Sequence, residues 1–317
     1  MSKSDGIKVS IICNAFNHEQ YIRQTLDGFL RQRTNFPFEI LIHDDASTDA
    51  TAQIIREYES KYPDLIRPIY QTVNQYSQGI KISSAYQYPR ARGEYIAFCE
   101  GDDYWISPDK LQLQVDILDN NRDYVACVHR YQVVDKTGEP RTVKTFGEYE
   151  QPGVYSFWDF DKKELPSQLA TLVCRNIFST EGMCYPEKLA QIKLNGDIKL
   201  FLHLLHYGDI YRMGEVMSAY RFVTEVGGGS WSSMQLRKAV GYKDWNALRQ
   251  LERYCRDEFG RPLNLRERRV RAAVRTVKDF ARQKNWANFC HAAEVILKQR
   301  GLLSEMFGKI LGKVHGK

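Results

Sequence analysis

At the end of the apolar run Tyr95-Ile96-Ala97-Phe98-Cys99 the chain places three carboxylates within four residues, Glu100-Gly101-Asp102-Asp103. Tyr104-Trp105 and the helix-start signal Ser107-Pro108-Asp109 follow. Like charges so close repel one another and cost stability unless a cation, a proton or hydrogen-bond donors compensate them. A fold that ends a buried strand in such a cluster therefore has to offer the carboxylates something to bind. A hard divalent cation, Mg2+ or Mn2+, prefers oxygen ligands and commonly completes its shell with phosphate oxygens, which points to a phosphorylated substrate at a strand end. In open α/β sheets that edge is where ligands bind. The plainer reading is an acidic turn that caps the next helix, with Ser107 as N-cap and Pro108 in the first turn. It accounts for Ser107 and Pro108 but not for the carboxylates.

The residues before the cluster repeat one arrangement. A strand over Lys8 to Cys13 runs through Asn14-Ala15-Phe16-Asn17 into a helix, with Asn17 and Gln20 spaced as a capping box and Ile22, Leu26, Phe29 and Leu30 on its buried face. A second strand, Phe38 to His43, ends in Asp44-Asp45. Its helix carries Ile54, Ile55 and Tyr58 on one face and breaks at Pro63. A third strand is expected near Leu65 to Gln71 and a helix between Gly79 and Ala91. Strand and helix in regular alternation argue for a parallel sheet with right-handed crossovers. No strand is followed by G-x-G-x-x-G, so phosphate binding has to rest on side chains rather than on a glycine-rich cradle.

The sequence has 317 residues, enough for one large α/β domain or for such a domain with a helical appendage. Its apolar runs fall far short of the roughly 20 residues that span a bilayer, and the polar start leads directly into a strand pattern. The seven cysteines, Cys13, Cys99, Cys127, Cys174, Cys184, Cys255 and Cys290, lack paired spacing and read as reduced thiols of a cytoplasmic protein. A net charge of +6 conceals an asymmetry: residues 237–317 hold 20 Lys/Arg against 8 Asp/Glu, so an acidic body carries a basic tail.

Three blocks in order, Val9-Ser10-Ile11-Ile12-Cys13-Asn14-Ala15-Phe16-Asn17, Glu39-Ile40-Leu41-Ile42-His43-Asp44-Asp45-Ala46-Ser47-Thr48-Asp49 and Gly93-Glu94-Tyr95-Ile96-Ala97-Phe98-Cys99-Glu100-Gly101-Asp102-Asp103, resemble the family 2 glycosyltransferases of the GT-A fold. The resemblance covers about residues 7–130 strongly and 166–231 more weakly, and it does not reach the basic tail. It implies a Rossmann-like, mostly parallel sheet flanked by helices over 1–231, with a nucleotide-sugar half to about 130 and an acceptor half beyond it. A basic α-helical extension is expected over 232–317. It further implies an inverting, metal-dependent transfer from a nucleotide-diphosphate sugar, taken here as a UDP-sugar, to a saccharide or lipid-linked glycan in bacterial surface polysaccharide synthesis. By the same resemblance Asn14, Phe16, Asp45 and Asp102 bind the nucleotide. Phe16 stacks on the base, Asp45 takes the base N3-H, Asp102 meets the ribose, and Asp103 ligates Mn2+ or Mg2+.

In the second half, Asp135 to Pro166 is rich in turn residues and reads as a hairpin and surface excursion. A strand is expected over Ala170 to Arg175. Asn195-Gly196-Asp197 opens a helix that stops at Gly208. Asp197 reads as an N-cap, and the resemblance makes it the base that deprotonates the acceptor hydroxyl. Trp105 is a candidate sugar-binding wall, with packing at the sheet edge an equal account. The glycine-rich stretch ending at Trp231 is a candidate lid, or a linker into the tail. After Tyr220-Arg221 the family's usual histidine is replaced by Val223-Thr224-Glu225. The last predicted helix, Leu302 to Val314, is basic and amphipathic, suited either to packing on protein, including another copy of the chain, or to peripheral contact with the inner membrane face. No nucleic-acid partner is expected. Two rivals are a catalytically silent binding protein on the same fold and a sugar-nucleotide pyrophosphorylase, for which the loop after the first strand lacks the expected Gly- and Arg-rich sequence.

Overall fold

The computed structural model describes residues 6–143, 147–161, 165–178, 186–223, 241–269 and 272. Its contacts group into two units, Met1–Pro186 with Leu200–Ser233, and Glu187–Lys199 with Met234–Lys317.

The first unit is built on β1 (Val9–Ala15), β2 (Phe38–Asp44), β3 (Ile66–Tyr70) and β4 (Tyr95–Phe98), which pair in parallel in the order β3-β2-β1-β4. The helices α1 (Ile22–Leu30) and α2 (Thr51–Lys61) are the crossovers. β1 is buried almost throughout because both of its faces are covered. Val9, Ile11, Cys13 and Ala15 pack in one cluster with Ile22, Leu26 and Phe29 of α1 and with Ile54, Ile55 and Tyr58 of α2. Beyond β4 the sheet becomes mixed. β8 (Val173–Arg175) runs antiparallel to both β4 and β6 (Tyr124–Val134), and the 13-residue β9 (Asp209–Arg221) runs parallel to β6 and antiparallel to β5 (Tyr104–Trp105) and β7 (Gly153–Tyr155). α3 (Lys110–Asn120) links β5 to β6. In the second unit lie α4 (Glu187–Gln191) and α6 (Gly241–Phe259), with a Lys188–Glu258 ion pair between them. α5 (Gly196–Tyr207) precedes β9.

Several local expectations are corrected. The helix expected between Gly79 and Ala91 is a five-residue π turn, Ser83–Gln87, followed by a 3-10 turn, Tyr88–Arg90. Pro89 has no N–H to donate, so a regular helical ladder cannot run through it. The Asn17–Gln20 capping box does not form: α1 starts at Ile22, and Asn17 sits in the left-handed region at φ 56°. α3 starts two residues later than Pro108, with Asp109 at the cap and Ser107 Oγ accepting from the Asp109 amide at 3.3 Å. The stretch 135–166 is more than a surface excursion, because it adds β7 to the sheet and buries Tyr155, Phe157 and Phe160. The strand expected from Ala170 begins at Val173, after a 3-10 turn over Leu169–Thr171.

Cys13, Cys99, Cys127, Cys174 and Cys255 are free and buried; Cys184 and Cys290 lie outside the described residues. Lys110 has no solvent exposure. Its ammonium donates to Gln114 Oε1 at 2.8 Å and stands 4.2 Å from the Trp105 ring centroid, and burial pulls its pKa down to about 7. Among the described residues no helix is long and apolar enough to cross a membrane.

Candidate active site

β1 has β2 on one side and β4 on the other, because the chain winds outward from β1 to β3 and then returns across β1. At such a reversal the connections leaving the strand ends diverge and leave a crevice. That edge collects Asn14 and Phe16 from β1, Asp44 and Asp45 from β2, and Glu100 to Asp103 from β4.

The loops after β1 and β2 are tied to each other. The Asn17 amide donates to Ser47 Oγ at 3.0 Å, the His18 amide to Thr51 Oγ1 at 2.7 Å, and the Thr48 amide to Asn17 Oδ1 at 2.8 Å. Phe16 is held on this braced rim with 40% of its surface exposed, so an aromatic face is available without a loop having to order on binding. Asp45 is buried, with its carboxylate accepting from the backbone amides of Gln75 at 2.7 Å and Tyr76 at 3.0 Å. It anchors the 74–76 loop over the end of β2. Asp44 is buried too; its Oδ2 accepts from the Ser47 amide at 3.3 Å, and burial raises its carboxyl above the usual range.

The acidic turn separates its three carboxylates by environment. The Gly101 amide donates to the Asn14 carbonyl at 2.9 Å, so the turn lies against β1. A Cβ at 101 would come within 2.8 Å of His18 Nδ1 and 3.1 Å of Ile22 Cδ1, which is why glycine stands there. Glu100 is half-buried and accepts from Asn14 Nδ2 at 3.3 Å. Asp102 is half-buried as well, and its backbone carbonyl accepts from Arg221 Nε at 2.9 Å. Asp103 is only 2% exposed. Its Oδ1 accepts from the Arg221 amide at 2.8 Å and its Oδ2 from Gln168 Nε2 at 3.0 Å. Burial first, and then the charge of Asp102, push the Asp103 carboxyl well above the usual carboxylate range. A residue sealed in this way is a poor first ligand for a cation that arrives from solvent with a diphosphate. Among the described residues no group of three or more His, Cys, Asp or Glu side chains could hold a metal by itself.

The chain matches Glycosyl transferase family 2 over residues 10–179. It belongs to that family. The uncharacterized protein Rv1520 of Mycobacterium tuberculosis is 37% identical over 218 residues, 67% of this chain and 58% of the relative, so the chain spans little more than half the length of that relative. TuaG of Bacillus subtilis, named as a teichuronic acid biosynthesis glycosyltransferase, is 28% identical over 247 residues, 77% of this chain and 88% of TuaG. The structure of S. aureus TarS 1-349 in complex with UDP-GlcNAc superposes with a TM-score of 0.55 at 19% identity, covering 92% of each chain. The mixed sheet flanked by helices is thus the GT-A fold of family 2.

Against that family frame the remaining sequence candidates fall as follows. Trp105 is not a solvent-facing wall: it is 1% exposed, packs edge-on against Phe29 with centroids 4.7 Å apart, and its indole N–H donates to the Ala170 carbonyl at 2.9 Å. Tyr104 and Trp105 pair with β9, which turns the indole inward. Asp197 stands in the first turn of α5. The residue is half-buried, yet burial of its carboxyl group lifts the pKa to about 6. Trp231 lies outside the described residues, as does the predicted helix Leu302 to Val314. His203 packs between Phe178 and Tyr207, a core position.

Sequence reasoning missed Gln168 and Arg221 as parts of the site. Arg221 is 3% exposed, and besides Asp102 its guanidinium reaches the carbonyls of Asp135 at 3.0 Å and Lys136 at 3.1 Å and Gln24 Oε1 at 2.8 Å. The Tyr220-Arg221 pair was visible in the sequence, but not that its arginine braces the acidic turn.

Proposed function

We propose that the chain is an inverting glycosyltransferase that moves a sugar from a UDP-sugar to a hydroxyl of a saccharide or lipid-linked glycan during assembly of a bacterial surface polysaccharide. The observation that carries this reading is the acidic turn at the β1/β4 reversal, where Glu100 and Asp102 keep partial access to solvent while Asp103 is sealed beneath them. The UDP-GlcNAc held by TarS and the teichuronic acid assignment of TuaG support the donor and acceptor classes.

The donor set at the turn fits a hard divalent cation, since it offers carboxylate oxygens and leaves the rest of the shell to phosphate and water. The half-buried Asp102, rather than the sealed Asp103, is then the residue to hold Mn2+ or Mg2+, with Glu100 beside it. In this reading the ligand role that the resemblance gives to Asp103 passes to Asp102, which the resemblance gives to the ribose. Such a cation, when bound, offsets the negative charge that grows on the diphosphate as the glycosidic bond breaks.

The chain's own residues do the rest. Phe16 offers its exposed ring to the base, a contact worth about 1–3 kcal/mol. Asp45 holds the 74–76 loop with both carboxylate oxygens, and its role toward the base N3-H is taken from the family resemblance. Asp103 supports the turn from below. Asp197 is the base that takes the proton of the attacking hydroxyl. Inversion follows when that hydroxyl attacks from the face opposite the departing diphosphate, with no covalent intermediate. A carboxylate lifted to about 6 is a stronger base than an ordinary aspartate and is still ionised at neutral pH.

Calorimetric titration of UDP, with GDP and dTDP as controls, in Mn2+ and in chelator, tests the donor site. Metal-dependent UDP binding that is lost in Asp102→Asn supports it. Absence of nucleotide binding under every condition would overturn it and favour the silent binding protein.

A further inference from the structure

The π turn Ser83–Gln87 packs against β1 and β2 and contributes a largely enclosed chain of hydrogen bonds whose direction can be read without ambiguity. It begins at Arg90. A guanidinium only donates, so the Gln87 atom that faces Arg90 Nε at 3.1 Å and Nη2 at 2.7 Å must be the oxygen, Oε1. The other end of the Gln87 amide is therefore its NH2 group, which donates to the carbonyls of Cys13 at 3.1 Å and Leu41 at 3.2 Å and to Asn14 Oδ1 at 3.2 Å. Asn14 is fixed in turn. Its oxygen is held by Gln87, so its NH2 points the other way and donates to Ser83 Oγ at 3.2 Å and to Glu100 Oε1 at 3.3 Å.

Gln87 has no solvent exposure, and no water can take over the work of its amide. Arg90 is itself held in place, by the carbonyls of Arg67 and Ile42, each at 2.8 Å. The relay thus ends in a donor aimed at the first carboxylate of the cluster Glu100-Gly101-Asp102-Asp103. Were Asn14 reversed, its carbonyl oxygen would face Glu100 and the carboxylate would be pushed away.

We propose that Gln87 is a positioning residue of the donor site, acting through Asn14 to hold the Glu100 carboxylate in the orientation that metal-diphosphate binding requires. This rests on the donor-site reading above. Gln87 touches neither donor nor cation; it sets which end of the Asn14 amide Glu100 meets. Partners that orient metal ligands typically change metal affinity by about 10–100-fold when lost.

The test is a double-mutant cycle on the full chain between Gln87→Glu and Glu100→Gln, read by thermal melting and by UDP titration in Mn2+ and in chelator. The Gln87→Glu side chain keeps its contact to Arg90 but presents an acceptor to Asn14, which reverses and aims its oxygen at Glu100. It also gives up the donations to the Cys13 and Leu41 carbonyls, a loss that Gln87→Met shares. The expected result is a UDP affinity in Mn2+ weakened at least about tenfold, with little change in chelator. In the Glu100→Gln background the substituted amide can donate to the reversed Asn14, so adding Gln87→Glu should cost much less in both melting temperature and affinity. Gln87→Met, which cannot reverse Asn14, should fall between wild type and Gln87→Glu in Mn2+-dependent affinity.

Additive effects of the two substitutions, or equal losses in Mn2+ and in chelator, would overturn the proposal and leave Gln87 a packing residue. Coupling in melting temperature with no nucleotide binding by the wild type would instead sink the donor-site reading, and with it the functional role of the relay. Nucleotide binding without coupling would sink the relay alone.

Discussion

The backbone amide of Arg221 donates to the carboxylate of Asp103 at 2.8 Å, across 118 residues of sequence. Gln168 Nε2 occupies the other oxygen, and Gln168 cannot turn over, because its Oε1 accepts from the Ala170 amide at 2.6 Å. Asp103→Asn therefore sets an NH2 group against a donor whichever way it lies. A buried donor left unsatisfied costs about 1–3 kcal/mol. Asp103→Asn should lower Tm by several degrees in a calorimetric scan, whereas Asp102→Asn should melt close to wild type and lose Mn2+-dependent UDP binding. A normal Tm for Asp103→Asn, with metal dependence lost, would restore Asp103 as the ligand.

Arg221 joins the acidic turn to α1 and to the 135–136 turn, and its guanidinium stands 4.3 Å from the Tyr21 ring centroid. Arg221→Met keeps much of the side-chain volume and removes every side-chain donor while leaving the backbone amide's hydrogen bond to Asp103. It should destabilise the chain by about 1–3 kcal/mol, since the carbonyls of Asp102, Asp135 and Lys136 and the amide oxygen of Gln24 lose their side-chain partner together. Urea unfolding of Arg221→Met at an unchanged midpoint would show that the brace carries no weight.

If Asp197 is the base proposed above, it sets the acid limb of the rate. Its carboxyl is raised to about 6, so the basic form is fully present well above pH 6 and is lost as pH falls through that value. A profile of kcat against pH should be half-maximal near 6, fall about tenfold per unit well below it and level off by about pH 7. Asp197→Asn should abolish turnover while UDP affinity in Mn2+ stays near wild type. An acid limb centred near 4 would place the base elsewhere.

Phe16 is 40% exposed and contributes little to the core. Phe16→Ala should weaken UDP binding by about 1–3 kcal/mol and leave Tm within a degree or two. The loss should not depend on which base a bound nucleotide carries, because stacking alone does not read the base.

Lys110 sets a pH dependence of stability. Its amine is neutral above about 7 in the folded chain and protonates near 10.4 when unfolded, so between these values the unfolded state holds more protons and stability rises with pH. Lys110→Met removes the cost of burying the amine. The difference in unfolding free energy between Lys110→Met and wild type should favour the variant most near pH 7 and shrink toward pH 10. A difference that does not change with pH would mean that Lys110 stays charged in the fold.

What the sequence determined by itself is what local pattern can encode. Apolar runs alternating with helical periodicity specified the parallel half of the sheet, and carboxylates crowded at two strand ends marked the edge proposed as the donor site. Both signals lie within a few residues of their cause. The three blocks were enough to name the family. Boundaries failed where a local cue competed with backbone chemistry, as at Pro89, or where a side chain found a better partner elsewhere, as Asn17 did in Thr48 rather than in its own helix.

Tertiary structure alone decided how the carboxylates differ in exposure and partners. Glu100, Asp102 and Asp103 look alike in sequence, and only the return of β9 and of the Gln168 turn seals Asp103 and leaves Asp102 accessible. The inward turn of Trp105 comes from pairing with β9, and the raised pKa of Asp197 from atoms packed around its carboxyl. Burial and hydrogen-bond direction depend on groups tens to more than a hundred residues away, and a local pattern carries no information about which of several like residues those groups will reach.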